Sequence, residues 1–233
     1  MLEFTVNKND FKKFVDALHP LLYECKIDIT SEQLHVAGID TSNICFITVD
    51  YFKNLDASDI GSVYIQLSKV SDFINKCKEE NIYVTISKQS ASFECGNLNL
   101  DITLYKNNSD EKTPPAIPTS IDITVDGNQF YNAIRSASGI NEKICFTTLS
   151  DCMIINIDDN SDKYEWRIDV DEVIEDMCDE VIASYSYEYI KDISVGLKQF
   201  EKVNIKYGTD LPLIIGGIND EFTIEYILAP RVA

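Results

Sequence analysis

Acidic side chains form the densest groups of potentially reactive residues in this sequence. One group runs from Asp158 to Asp162 (DDNSD), and a second runs from Asp169 to Glu172 (DVDE). Carboxylates at this spacing can bind a divalent cation, but the first group lacks the central Gly and terminal Glu of a calcium-binding loop. We interpret it as a solvated turn between two strands. A metal-dependent hydrolase that uses Asp158–Asp162 is kept as the alternative from a different functional class.

Other reactive residue types show no catalytic spacing. The two histidines, His19 and His35, belong to different predicted elements. No histidine follows or precedes Asp40-Thr41-Ser42 at a sequence spacing that would indicate catalytic pairing with a hydroxyl group. Neither the GxGxxG nor the GxxxxGK[ST] phosphate-binding pattern occurs. The sequence therefore predicts a protein that is not an enzyme, with no cofactor and no bound metal.

Composition describes a folded and strongly acidic chain. The 233 residues include 45% apolar side chains, 20 Lys and Arg against 39 Asp and Glu, and a net charge of −19. Seven cysteines without a CxxC pair indicate reduced thiols in a cytosolic type of compartment. No apolar run is long enough to span a membrane, and the N-terminus has no secretory pattern. Taken alone, the charge argues against nucleic acid, which basic surfaces bind.

A Pro-rich segment at 105–120 divides the chain into two similar halves. The Phe11/Phe14/Leu18 helical stripe returns at Phe130/Ala133/Ala137, an offset of 119 residues, and the closing strand pattern returns at an offset of 124. So small a drift indicates a duplicated domain. We predict an N-terminal domain at 1–104, a connecting loop at 105–120 and a C-terminal domain at 121–233. Each would hold two helices on a mainly antiparallel sheet, in the α+β class.

Basic residues concentrate on the four predicted helices. The segments 9–18, 68–78, 126–138 and 187–202 carry a summed charge of +2, which leaves −21 for the rest of the chain. Lysines on any solvated helix face explain part of this bias. A weakly attractive surface for a polyanion explains it equally well, because the acidic groups lie elsewhere.

Five motifs resemble the sliding clamps of the proliferating cell nuclear antigen (PCNA) family, and archaeal members most closely. They are NKNDFKKFVDALHPLL at 7–22, GIDTSNI at 38–44, YSYEYIKDI at 185–193, DLPL at 210–213 and ILAPR at 227–231. The resemblance covers the whole chain. It implies two clamp domains per chain and three chains in a closed ring that encircles duplex DNA.

The resemblance also implies site residues. The DNA-facing surface would consist of basic residues on or near the helices: Lys12, Lys13, Lys69, Lys76, Lys78, Arg135, Lys191 and Lys198. A pocket beneath the connecting loop would bind PIP-box peptides, which insert one aliphatic and two aromatic side chains. Its candidates are Ile39, Ile44, Phe46, Ile117, Pro118, Pro212, Ile227, Ala229 and Pro230, and ordinary core packing remains the alternative for each.

The implied partners are double-stranded DNA, two further copies of the chain, DNA polymerase, clamp loader, ligase and flap nuclease, with no membrane. Subunits would join by strand pairing through Leu98, Leu100, Ile102, Tyr164, Trp166 and Ile168. A heterotrimeric or checkpoint clamp is the alternative within the family. An archaeal cytoplasm is the expected location, or a nucleus if the source is eukaryotic.

Overall fold

Two rounds of one element order build the chain. The computed structural model describes residues 1–53, 55, 61–104, 113–114, 116–137, 142–149, 151–159, 162–173 and 181–231. The first round is β1 Leu2–Asn7, α1 Lys8–Leu18, β2 Glu24–Ile29, β3 Gln33–Ile39, β4 Cys45–Phe52, β5 Gly61–Gln66, α2 Leu67–Lys76, β6 Asn81–Ile86, β7 Ser90–Cys95 and β8 Leu98–Thr103. The second is β9 Ile121–Asp126, α3 Gly127–Ser136, β10 Lys143–Thr148, β11 Cys152–Asp159, β12 Asp162–Val173, β13 Val181–Ser186, α4 Tyr187–Leu197, β14 Lys202–Tyr207, β15 Leu213–Ile218 and β16 Phe222–Leu228.

The strands form two antiparallel sheets. The smaller has the order β1-β6-β7-β8, and the larger has the order β13-β10-β11-β12-β9-β14-β15-β16-β4-β3-β2-β5. The larger sheet crosses the middle of the sequence where β16 pairs with β4, from Phe222 opposite Tyr51 to Leu228 opposite Cys45. The predicted α+β class with mainly antiparallel sheets is confirmed.

Side-chain caps and apolar stripes set the helices. Asn7 accepts hydrogen bonds from the N–H groups of Asn9 and Asp10 at 2.9 and 3.4 Å, and Asp126 accepts one from Gln129 at 2.7 Å. Such caps satisfy backbone donors that lack a partner in the first turn. The stripes led by Phe14 in α1 and Phe130 in α3 are fully buried. Each such side chain contributes about 1.5–3 kcal/mol of transfer free energy.

The four helices lie side by side in the order α2-α1-α4-α3, since α1 contacts both α2 and α4, and α4 contacts α3. The middle contact joins the two halves of the chain at short range. The Tyr226 hydroxyl donates to the Ala17 carbonyl at 2.9 Å, and a Cβ built at Gly196 would lie 3.1 Å from Ala17 Cα. No helix of the described residues is long and apolar enough to cross a membrane.

Several sequence-based boundaries were wrong. The helix predicted at 68–78 ends at Lys76, because Cys77 adopts an extended backbone (ψ 137°), so Lys78 lies beyond the helix. The helix predicted at 187–202 ends at Leu197, because Lys202 already pairs with Asp126 in the sheet. A Gly-Gly pair commonly marks a turn, but Gly216-Gly217 lies inside β15, where Gly216 opposes Glu225.

Candidate functional site

The basic candidates lie on or next to the helix row, and three of the eight have neighbouring acids among the described residues. Lys12 lies 3.0 Å from Asp16, and Lys191 lies 3.1 Å from Glu188. Lys13 contacts Asp10 at 3.2 Å, and its ammonium lies 5.8 Å from the centre of the Phe222 ring. Exposed ion pairs of this kind contribute little to stability and attract a polyanion less than isolated lysines do.

A second set of basic candidates has no carboxylate partner among the described side chains: Lys69, Lys76 and Arg135 are exposed and take part in none of the ion pairs there. Lys198 follows α4 and lies 5.2 Å from the centre of the Tyr131 ring. Within their observed bounds the four helices hold seven basic and five acidic residues, a charge of +2, so −21 remains elsewhere.

Three pocket candidates form a row across the larger sheet. Ile39 pairs with Phe46, and Phe46 pairs with Ile227, so the three side chains share one face over β3, β4 and β16. Because successive strand residues point to opposite faces, this face is the reverse of the one where Ile47 joins the core. Phe46 and Ile227 are buried, at 6% and 7% exposure, yet neither belongs to the main hydrophobic cluster.

The other pocket candidates surround this row to different extents. Ile44 is exposed, and its carbonyl accepts a hydrogen bond from the Ala229 N–H at 2.9 Å. Pro212 precedes Leu213, which pairs with Leu228, and Pro230 follows the end of β16; both prolines are half-buried. Ile117 is half-buried and Pro118 is exposed. The rest of the predicted connecting loop, apart from residues 113–114, 116 and 119–120, lies outside the described residues.

A cleft of about 510 Å³ lies beside this apolar row on the same face. Leu22, His35, Ala37 and Thr48 line it together with Thr113 and Pro114. Ile39 is the one pocket candidate among its described lining residues, so the cleft and the row meet at Ile39.

Among the unpaired strand edges of the described chain, two carry the candidates for a subunit interface. β8 pairs with β7 alone, and β12 pairs over residues 162–169 with β11 alone. The six candidates for a subunit interface lie on these two strands. Leu98, Leu100, Tyr164 and Trp166 are only partly buried, whereas Ile102 and Ile168 are buried at 4% and 0% exposure.

Because the two halves repeat one order of elements, each unpaired strand edge can be compared with the equivalent strand of the other half, which is paired. β8 and β16 are the last strands of the two halves and are therefore equivalent, as are β4 and β12. The β3–β4 and β11–β12 registers align Phe52 of β4 with Asp169 of β12. The β16–β4 pairs Phe222/Tyr51, Ile224/Val49 and Tyr226/Ile47 then correspond to three pairs of candidates. These pairs are Leu98/Ile168, Leu100/Trp166 and Ile102/Tyr164.

The acidic group at Asp158–Asp162 is placed where two strands meet. Asp158 opposes Lys163 and Asp159 opposes Asp162, so the described members of the group lie at the end of the paired strands β11 and β12. Among the described residues no three His, Cys, Asp or Glu side chains converge as a metal site would require. Residues 160 and 161 lie outside that description.

Comparison with curated proteins places the chain among known sequences. The DNA polymerase sliding clamp of Methanospirillum hungatei is 28% identical over 253 aligned residues, which cover 100% of this chain and 99% of the relative. That of Methanocorpusculum labreanum is 24% identical over the same shares. The chain is a homologue of archaeal DNA polymerase sliding clamps. No protein-family model matches it.

Solved structures agree with this clamp homologue in fold. PCNA from Thermococcus kodakaraensis superposes with a TM-score of 0.85 at 15% identity, over 99% of this chain and 100% of the other. A. fulgidus PCNA, solved with the C-terminal region of FEN-1 bound, gives 0.85 at 19% identity over 100% and 99%.

Sequence reasoning missed one polar contact of the clamp homologue that lies beside the pocket row. Buried Asp40 accepts hydrogen bonds from the N–H groups of Ser42, Ile44 and Cys45 at 2.9, 2.7 and 2.7 Å. Its second oxygen also accepts the Tyr189 hydroxyl of α4 at 2.7 Å. Burial alone would raise the pKa of Asp40, but these hydrogen bonds outweigh it and hold the pKa below the ordinary value.

Proposed function

We propose that the chain is a DNA sliding clamp that closes into a ring of three copies. The observation that carries this proposal is the pair of open edges, β8 and β12, whose counterparts β16 and β4 pair within one chain. Repeating that pairing between copies joins Leu100 to Trp166 of the partner subunit. Six clamp domains then close into a ring, and neither the β8 edge nor the β12 edge is left exposed to aggregate.

Burial supports the same assembly. At the closed junction Phe222, Ile224 and Tyr226 are at most 1% exposed. The corresponding Leu98 and Leu100 keep part of their surface open, as do Tyr164 and Trp166 on the other edge. Ring closure would bury this apolar surface. Tyr164 of β12 would face Ile102 of the partner subunit, whereas within the chain the tyrosine of the equivalent pair, Tyr226 opposite Ile47, lies on the other strand, β16.

In such a ring the helix row lines the central hole. The row α2-α1-α4-α3 would continue from copy to copy, with Lys12, Lys69, Lys76 and Arg135 toward the DNA. A lining charge of only +2 per chain suits weak phosphate contacts that allow sliding and carry no base readout. Enclosure of the duplex, and not its attraction, keeps the protein on DNA.

The apolar row of Ile39, Phe46 and Ile227 is proposed to bind PIP-box peptides of partner proteins. It is an apolar surface outside the core, beside a cleft on the outer face. The FEN-1 segment bound to A. fulgidus PCNA supports a flap nuclease partner, and we extend the proposal to DNA polymerase, ligase and clamp loader. Bound partners gain a high local concentration at the DNA they act on.

We propose that the chain acts as a scaffold, not an enzyme, in an archaeal cytoplasm. Its two clamp domains would span residues 1–104 and 121–233, with a connector at 105–120. A ring of mixed clamp chains is the second candidate. Native mass separates the two: about three times 26.4 kDa for the chain alone supports the homotrimer, whereas a monomer supports a mixed ring.

Reversing charge on the lining tests the place of the helices. We expect Lys12→Glu with Lys76→Glu to weaken association with linear duplex DNA about tenfold at low salt, because phosphate contacts are lost. Fluorescence anisotropy across a salt series measures the loss, and native mass should not change. Lys88→Glu makes the same charge change on the exposed β6–β7 turn and should leave DNA association as it is. Equal losses in both proteins would contradict the assignment.

The topological mechanism itself is tested by retention on DNA without ends. A ring that encloses the duplex stays on closed circular DNA and leaves the same DNA once it is cut.

A further inference from the structure

The loop between β3 and β4 is organised around one buried carboxylate. Asp40 is 5% exposed, and its two oxygens together accept three backbone N–H groups from residues 42–45. Its backbone closes the same loop, because the Asp40 N–H donates to the Cys45 carbonyl and the Asn43 N–H donates to the Asp40 carbonyl, both at 3.0 Å. Asn43 takes a left-handed conformation (φ 55°) at the tip.

This loop carries residues of the proposed peptide pocket on both sides. Ile39 precedes Asp40, and Ile44 and Phe46 follow it. The Ile44 backbone is held at both ends: its N–H donates to Asp40 at 2.7 Å, and its carbonyl accepts from Ala229 at 2.9 Å. The loop conformation therefore decides where the exposed Ile44 side chain stands relative to Phe46.

The second half of the chain reaches the same carboxylate through Tyr189. The Tyr189 hydroxyl, on α4, donates to Asp40 Oδ2 at 2.7 Å, across 149 residues of sequence. Hydrogen bonds to a charged acceptor in a buried place are stronger than neutral ones. Two hydrogen bonds therefore connect the second half of the chain to the loop, this one and the bond from the Ala229 N–H to the Ile44 carbonyl.

We propose that Asp40 and Tyr189 are positioning residues for the partner-peptide pocket. Tyr189 holds the Asp40 carboxylate in the orientation that binds the N–H groups of Ser42, Ile44 and Cys45. The loop is thereby fixed in its peptide-binding form before a partner arrives, and the ordering cost of binding is reduced. This inference rests on the proposed function of the pocket.

The test compares two tyrosines of the same helix. Tyr189→Phe removes the hydroxyl that reaches the loop, whereas Tyr187→Phe removes one that donates to the Ile134 carbonyl at 3.0 Å, far along the chain from the loop. The probe is a fluorescein-labelled synthetic PIP-box peptide, titrated by anisotropy. Hydrogen exchange of the Ser42, Ile44 and Cys45 amides and a thermal melt are measured on the same proteins.

We expect Tyr189→Phe to raise the peptide Kd about 3- to 10-fold, since a share of a charged hydrogen bond is lost. Amide exchange at residues 42, 44 and 45 should accelerate in that variant. Tyr187→Phe should change neither the Kd nor these amides, even where it lowers the melting temperature. Asp40→Asn should exceed the effect of Tyr189→Phe, because the negative charge is lost and the amide NH2 must face two donors, either Ser42 N–H and the Tyr189 hydroxyl or the N–H groups of Ile44 and Cys45.

Three results would overturn the inference. Peptide affinity and loop exchange equal to wild type in Tyr189→Phe would remove Tyr189 from the pocket while leaving the proposed function intact. Equal losses of affinity in both tyrosine variants would reduce the effect to general stability. A wild-type chain that does not bind the peptide would refute the pocket assignment itself, and the positioning role with it.

Discussion

We expect Trp166→Glu to convert the proposed trimer into monomers without unfolding the chain. Trp166 is partly buried on the open edge of β12, and in the proposed ring, which repeats the β16–β4 pairing between copies, Leu100 of the partner subunit would lie opposite it. A carboxylate at this position would have to lose its hydration against an apolar strand, and no cation of that strand could compensate for it. Native mass should fall from about three times 26.4 kDa to 26.4 kDa.

The matched control is Tyr83→Glu. Tyr83 is another aromatic strand residue, 57% exposed on β6, which is paired on both sides by β1 and β7. The same change in charge there should leave the trimer intact, since no subunit edge passes through β6. A trimer that persists in Trp166→Glu, or one that is lost in Tyr83→Glu as well, would contradict the proposed interface.

Gly196→Ala is expected to destabilise the chain by about 3 kcal/mol, although alanine is the better helix former. A Cβ at Gly196 would lie 2.0 Å from the Tyr226 hydroxyl and 3.1 Å from Ala17 Cα. The fully buried Tyr226 has no room to yield, so its 2.9 Å hydrogen bond to the Ala17 carbonyl is lost as α1 and α4 separate. The damage falls on the contact between the two halves of the chain.

Thermal unfolding measures this loss, which for a chain of this size corresponds to a decrease in Tm of about 6–12 °C. Gly61→Ala is the control, because a Cβ at Gly61 would have nothing within 4 Å. It should change Tm little. A Gly196→Ala chain as stable as wild type would show that α1 and α4 do not approach as closely as described.

The sequence predicted the duplication and the helix stripes because both depend on apolar spacing. The offset of 119 residues between Phe11 and Phe130 marks a buried helix face in each half, and both faces are buried in the structure. Helix ends were less predictable, since sheet pairing sets them. Lys202 is a helix former by propensity, but Asp126 recruits it into β14.

The site could be predicted only in part, for a similar reason. Ile39, Phe46 and Ile227 were candidates for the core as much as for a pocket, and strand register alone shows that they share the outer face. The Asp40–Tyr189 hydrogen bond joins residues 149 positions apart, which no local spacing encodes.

The net charge limits how the protein can hold DNA. In the proposed ring three chains of −19 carry −57, so binding through overall charge attraction is excluded, while the helix row keeps a charge of +2 per chain. The acidic residues that repel DNA phosphates then lie away from the helix row, and the surface along which the duplex would pass is nearly neutral.

Retention on circular DNA, compared with retention on the same DNA after it is cut, shows whether the protein is held on DNA by enclosure. The clamp would be loaded on nicked circular DNA with a clamp loader and ATP, isolated by gel filtration, and then split into two portions, one of which is cut by a restriction enzyme. We expect the uncut portion to keep the protein through a wash at high salt, whereas the linearised portion should release it within minutes. Equal release from both portions would contradict enclosure.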